Sequence, residues 1–136
     1  MKLLDSEKVE YLLVGGYAVG YYGYPRATGD IDIWVSSTRE NAERLVHVLG
    51  QFGFNQKSLS EELFLKEHSV VRMGVPPVRI DLLTTITGVS FEDCYPNRVE
   101  GVLDGVKVSL ISLNNLRENK IASGRPKDLS DLEYLK

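Results

Sequence analysis

The chain is poor in several residue types, and each shortage excludes something. It has one cysteine, Cys94, so no internal disulfide can form and nothing marks it for an oxidising compartment. It has two histidines, His47 and His68, too few for a zinc site of the usual Cys/His spacing or for a readable Ser-His-Asp arrangement. No apolar run approaches membrane-spanning length, which excludes a spanning helix on the pattern. Met1–Glu10 carries too many charges for a signal peptide, so the cytoplasm is the expected compartment. The net charge of −3 lacks the basic excess of a protein coated in nucleic acid. It leaves room for a nucleotide substrate whose charge a metal ion neutralises.

What is present is ordinary in amount and informative in order. A chain of 136 residues with 43% hydrophobic and 26% charged residues fits a single minimal domain over 1–136 with a real core. Tyr11–Val14 reads as a buried strand ending at Gly15-Gly16, with a short helix over Tyr17–Tyr22 closed by Gly23 and Pro25. Ile31–Val35 is a second strand. Ser37 and Glu40 form a capping-box pattern ahead of a helix whose apolar stripe is Ala42, Leu45, Val46, Leu49 and Phe52. Leu63–Lys66 and Val70–Met73 read as a hairpin around Glu67-His68, and Val78–Leu83 as another strand. Asp104-Gly105 between Val99–Leu103 and Val106–Ile111 is a strong hairpin signal. Ser112 caps a helix over Leu113–Ala122, Gly124 and Pro126 interrupt it, and Asp128–Leu135 forms the last helix. Strands dominate the middle and helices the rest, an α+β pattern with a mixed sheet packed against helices.

The chemistry concentrates where acids sit in apolar strands. Asp30 and Asp32 bracket Ile31, and strand alternation puts both carboxylates on one face, about 7 Å apart. Such a pair is either an exposed, solvated edge or a site for a hard cation such as Mg²⁺ or Mn²⁺. Asp81, inside Val78–Leu83, adds a third acid if that strand lies beside the second. Its alternative is a local ion pair with Arg79 on the same face. Three carboxylates are what two-metal phosphoryl transfer needs. Gly15-Gly16 lets backbone N–H groups approach phosphate at a helix start, or is an ordinary turn. Neither a dinucleotide fingerprint nor a Walker A pattern follows it.

Gly15-Gly16, the spacing to Asp30-Ile31-Asp32-Ile33, and the later Asp81 together resemble the nucleotidyltransferase superfamily named after DNA polymerase β. Gly-Gly-Tyr-Ala at 15–18, Arg26 to Ile33, and Lys120 through Asp131-Leu132 are similar to its small bacterial branch, which includes AbiEii and MenT-type toxins. The resemblance implies a metal-dependent transferase that moves a nucleoside monophosphate from an NTP to RNA such as tRNA, or to protein. An antitoxin partner or a homodimer would go with it. Some small antibiotic-modifying transferases share the same core, and a non-catalytic nucleotide- or partner-binding module is the remaining alternative. Asp30, Asp32 and Asp81 become metal ligands, with Asp81 the activator of the acceptor hydroxyl. Gly15 and Gly16 would hold the triphosphate, and Arg26 and Thr28 would line the nucleotide pocket. Lys120 would reach the triphosphate, helped by Arg125 or Lys127. The chain is shorter than its toxin relatives, which implies an acceptor surface that is reduced or is completed by a second copy or another protein.

The remaining polar and aromatic residues have two readings each. Tyr17, Tyr21, Tyr22 and Tyr24 either supply a ring to stack on a base or pack the short helix on the sheet with hydroxyls at the surface. Arg117, Lys120, Arg125 and Lys127 form a basic patch for phosphate, or satisfy a helix C-terminus. Cys94 is a nucleophile or a packing residue. His47 is structural or solvent-facing.

Overall fold

The computed structural model describes residues 2–23, 30–51, 60–75, 78–103 and 105–133. Six strands are formed: β1 (Tyr11–Val14), β2 (Asp30–Val35), β3 (Val70–Val75), β4 (Val78–Leu83), β5 (Val99–Leu103) and β6 (Val106–Leu110). They join one mixed sheet in the order β3-β4-β2-β1-β6-β5. The β1–β2, β3–β4 and β5–β6 pairs are antiparallel, while β1–β6 and β2–β4 are parallel. The fold is the expected α+β class. β1 lies centrally because all four of its residues are apolar and buried, so both faces of that strand are covered.

Helices α1 (Lys2–Ser6), α2 (Gly15–Tyr22), α3 (Arg39–Gln51), α4 (Glu61–Leu65), α5 (Phe91–Cys94), α6 (Leu113–Ser123) and α7 (Pro126–Leu132) pack around the sheet. Among the described residues no helix is long and apolar enough to cross a membrane. α3 buries Ala42, Leu45, Val48 and Leu49 at helical spacing, each large side chain contributing roughly 1.5–3 kcal/mol on burial. Phe52, the expected end of that stripe, lies outside the described residues. The helix starts one residue later than the Ser37–Glu40 capping box predicts. Thr38 Oγ1, not Ser37, accepts the Asn41 N–H at 3.3 Å. Asn41 is itself a buried staple. Its Oδ1 accepts from Glu10 N at 2.6 Å, and its Nδ2 donates to Glu10 O and Ser36 O at 3.0 and 2.9 Å.

Three further expectations shift. Leu63–Leu65 is the end of α4, not a strand, and Phe64 is fully buried. The hairpin partner of β3 is therefore β4, with the connection at 76–77. An apolar run this short carries no period to separate helix from strand. Pro126 opens α7 at its first turn, where its missing N–H costs nothing, so that helix begins before Asp128. α2 begins at Gly15, two residues ahead of the expected Tyr17. Elsewhere the hairpin of β5 and β6 forms as read, although Asp104 lies outside the described residues. Ser112 Oγ caps α6 by accepting from Asn115 N at 3.2 Å, and Gly124 ends it at φ +64°.

Candidate active site

The register of the sheet centre decides what stands together. Val14 pairs with Asp32 across β1–β2, and Asp32 pairs with Asp81 across β2–β4. Register partners share a face, so Asp32 and Asp81 are direct neighbours, with Asp30 two residues back on the same side. Further along this face, Trp34 is buried. It donates from Nε1 to Thr84 O at 3.3 Å and meets the Phe91 ring edge-on at 5.2 Å. The acids thus occupy the end of a strand whose other end is core.

Asp32 is half-buried. Burial raises its pKa, and the charges of Asp81 and Asp30 raise it further against the opposing pull of Lys127 and Lys120. The Asp81 side chain is 16% exposed. Its Oδ1 is buried with no hydrogen-bond partner, and the nearest cation is Arg72 Nε at 3.6 Å. Asp30 is held by Arg79, whose Nε and Nη2 donate to its two oxygens at 3.1 and 3.3 Å. The local alternative of an Arg79–Asp81 pair is thus replaced by a pair across strands, because Arg79 is the register partner of Asp30. Among the described residues no three metal-ligating side chains are gathered tightly enough to enclose one ion. The residues nonetheless suit a hard divalent cation. Asp32 and Asp81 are adjacent oxygen donors, one with an orphaned buried oxygen, and Asp30 can join them on leaving Arg79.

Gly15 shapes the same corner. Its φ is +67°, and a Cβ there would run into the Asp32 carboxyl, with Cγ 2.9 Å away. Only glycine both adopts this backbone and leaves the carboxylate its place. Gly16 follows within the first turn of α2. Arg26 and Thr28 lie outside the described residues.

A cavity of about 520 Å³ opens from this corner. It is lined by Gly15, Asp32, Leu83, Asn119, Lys120 and Arg125, among others. Sequence reasoning named Gly15, Asp32, Lys120 and Arg125. It missed Leu83 and Asn119, and the wall residues Ile86 and Thr87. Asn119 carries a usable signal, being one residue before Lys120 on α6, and its Nδ2 donates to Thr87 O at 2.9 Å.

Lys120 and Arg125 both reach the cavity wall and both meet Asp128, Lys120 from the interior and Arg125 from a side chain 71% exposed, rather than forming one surface basic patch. Lys120 is 6% exposed, and its Nζ lies 2.9 Å from Asp128 Oδ1 and 3.4 Å from Asp131 Oδ2. Asp128 also accepts from Ser123 Oγ at 2.5 Å and Arg125 Nε at 2.7 Å. Burial alone would raise the Asp128 pKa. The hydrogen bonds from Arg125, Ser123 and Lys120 outweigh it and hold the carboxyl well below the usual range. The two acids of α7 neutralise the two cations, which composition around residue 120 does not reveal.

The other candidates resolve into packing. The Tyr22 hydroxyl is not at the surface but donates to Ile111 O at 2.7 Å, and burial, then Tyr21, pushes its pKa up to about 12. Tyr21 meets Tyr22 edge-on and lies over Gly101, where a Cβ would come within 2.8 Å of the ring. Tyr24 lies outside the described residues. Cys94 is buried, and burial ahead of Glu118 and Asp93 pushes its thiol up to about 11, so it is protonated at neutral pH. His47 is exposed and within 2.9 Å of Gln51 Nε2.

Comparison with known proteins bears on the family and the fold. Residues 1–135 match the model of the family described as nucleotidyltransferase of unknown function (DUF6036), and the chain belongs to that family. Comparison with curated proteins gives no match by sequence. Among solved structures, it is similar to a candidate nucleotidyltransferase of Thermotoga maritima, with TM-score 0.62 and 17% identity over 97% of this chain and 84% of that one. It is also similar to an antigenic nucleotidyltransferase-like protein of Paracoccidioides brasiliensis, with TM-score 0.56 and 20% identity over 98% and 69%. A third is the lincosamide antibiotic adenylyltransferase LnuA bound to lincomycin, with TM-score 0.55 and 17% identity over 98% and 90%. At these identities the likeness is one of fold.

Proposed function

We propose that this family member moves a nucleoside monophosphate from an NTP to an acceptor hydroxyl, with Asp30, Asp32 and Asp81 holding Mg²⁺ or Mn²⁺. The observation that carries the reading is the side-by-side pair Asp32–Asp81, in which Asp32 lines the cavity and Asp81 has a buried oxygen with no hydrogen-bond partner. Adjacent carboxylates repel, and a shared divalent cation is the simplest relief. When bound, such ions neutralise phosphate oxygens and favour loss of the acceptor proton. The chain's own groups do the rest. Gly15 and Gly16 present backbone N–H groups at the start of α2 to the triphosphate. Lys120 and Arg125 line the same cavity, and Lys120 reaches the triphosphate, helped by Arg125 or Lys127; the resemblance adds Arg26 and Thr28 to the nucleotide-binding residues. Asp81 takes the proton of the attacking hydroxyl. The new bond joins the acceptor oxygen to the α-phosphorus, the α–β anhydride bond breaks, and pyrophosphate leaves with its electron pair.

The acceptor is RNA such as tRNA, or a protein, and a toxin-like role with an antitoxin partner or a second copy of the chain fits either. The fold likeness to LnuA supports a second reading, transfer to an antibiotic. The test is pyrophosphate release from each NTP with Mg²⁺ and cell extract, comparing the native chain with Asp32→Asn. Label reaching RNA or protein only with the native chain supports the proposal, and label on an added lincosamide supports the second reading. Equal turnover by Asp32→Asn overturns both, and nucleotide bound without pyrophosphate release leaves a binding module.

A further inference from the structure

On the side of the acid row away from Lys120 and Arg125 stand two arginines that the reaction above does not use. Arg72 on β3 is the register partner of Asp81, and Arg79 on β4 that of Asp30. Both therefore share the face of the acids. Their side chains are 69% and 43% exposed, and each forms an ion pair with a site carboxylate, at 3.6 Å to Asp81 and 3.1 Å to Asp30. Gly74, the register partner of Arg79, places no side chain between them on β3. Diagonal neighbours in an antiparallel pair stand roughly 7–8 Å apart, a spacing that neighbouring phosphates of one strand can bridge.

We propose that Arg72 and Arg79 form an acceptor-side phosphate grip for RNA, opened when a divalent cation takes over the carboxylates they now hold. The inference rests on the nucleotidyl-transfer reading and names its acceptor class. Three features favour RNA over protein. Guanidinium forks match phosphate oxygens bidentately, which a neutral hydroxyl acceptor does not require. The arginines adjoin Asp81, the group assigned to the acceptor proton, so a strand gripped there has its terminal hydroxyl within reach of the cavity. Arg72 stands beyond hydrogen-bond distance of Asp81 and the Arg79–Asp30 pair is close to half exposed, so both holds are weak, and a divalent cation that takes the carboxylates leaves two cationic forks without partners. A chain of net charge −3 then binds the end of an RNA, not its length.

The test is fluorescence anisotropy with a short fluorescein-labelled single-stranded RNA, at matched ionic strength, with Mg²⁺ or with chelator. Mg²⁺ should tighten binding by the native chain, the reverse of the ordinary competition between Mg²⁺ and protein cations for phosphate. Arg72→Gln/Arg79→Gln should lose roughly tenfold in affinity in Mg²⁺, and its slope of log affinity against log salt should be shallower by about 1.4, two contacts at ~0.7 each. Lys107→Gln, an exposed charge on β6 paired with Glu100, serves as the control and should change neither. If the double variant melts below the assay temperature, Arg72→Gln alone carries the test, with a slope change of about 0.7. Native affinity in the folded variants, an equal loss in Lys107→Gln, or weakening by Mg²⁺ overturns the grip, as does label transferred to protein with RNA untouched. NTP turnover retained by Asp32→Asn would instead remove the underlying reading.

Discussion

Two clusters of carboxylates and cations border one cavity, and they differ in how far their charges are satisfied. In the α6–α7 cluster, Lys120 and Arg125 meet Asp128 and Asp131, and Asp128 accepts from three different side chains. In the sheet cluster, Asp32 and Asp81 lie side by side, and one buried oxygen of Asp81 has no hydrogen bond, its ion-pair partner Arg72 standing 3.6 Å away. Saturated charge of the first kind fastens one helix to another. Unsaturated charge of the second kind is what the proposed cation would neutralise. The same residue types thus serve opposite ends, and their partners decide which.

The sharpest way to break this contrast is to remove a partner from each cluster and read stability and turnover together. Asp128→Ala takes from the buried Lys120 ammonium its 2.9 Å partner and leaves it Asp131 at 3.4 Å, and it should lower unfolding stability by on the order of 3 kcal/mol in denaturant titrations. Asp32→Asn should do the reverse. Turnover should fall by at least about 100-fold, while the melting temperature stays level or rises because a like-charge contact is gone. A melting temperature well below native in Asp32→Asn would show that the acid row is structural after all. Gly15→Ala tests the corner between the two. A left-handed backbone costs a non-glycine residue roughly 1–2 kcal/mol, and the new Cβ presses on Asp32, so stability and NTP turnover should both fall.

The smallest expected effect is in acid, and its sign separates the clusters. The folded pKa of Asp128 is depressed, so its stabilisation is present above the ordinary carboxylate range near pH ~4 and is lost as pH falls through the lower folded value. The folded pKa of Asp32 is raised, so the folded chain holds that proton more tightly, and stability declines as pH rises through and just above the ordinary range. Urea unfolding between about pH 4 and 6 should therefore show a shallow loss of stability with rising pH that Asp32→Asn flattens and Asp128→Asn does not.

How much of this was legible beforehand follows from which interactions are local. The Asp30–Asp32 face, the glycine turn, the Asp104-Gly105 hairpin and the Ser112 cap all depend on neighbours within a few residues, and sequence spacing carries them. The pairing of Asp32 with Asp81, and the transfer of Arg79 from Asp81 to Asp30, depend on the register of a parallel strand pair, which no local pattern encodes. The burial of Lys120 was hidden for a related reason. Asp128 and Asp131 stand three residues apart on a helix, a spacing visible in the sequence, but their target depends on how α7 folds back on α6. Leu63–Leu65 misled because its strand-like apolarity is the buried side of a single helical turn.

The parallel pairing of β2 with β4 also bears on how the chain acquires its chemistry. Antiparallel neighbours can zip from a turn, whereas a parallel pair must wait for a crossover to be laid down, here the stretch through α3, α4 and β3. Closing so long a loop is slow compared with forming a helix or hairpin. A chain emerging from the ribosome therefore carries Gly15 and Asp32 long before Asp32 has Asp81 beside it, and on the proposed reading the cation site forms only once Asp81 has been synthesised and docked.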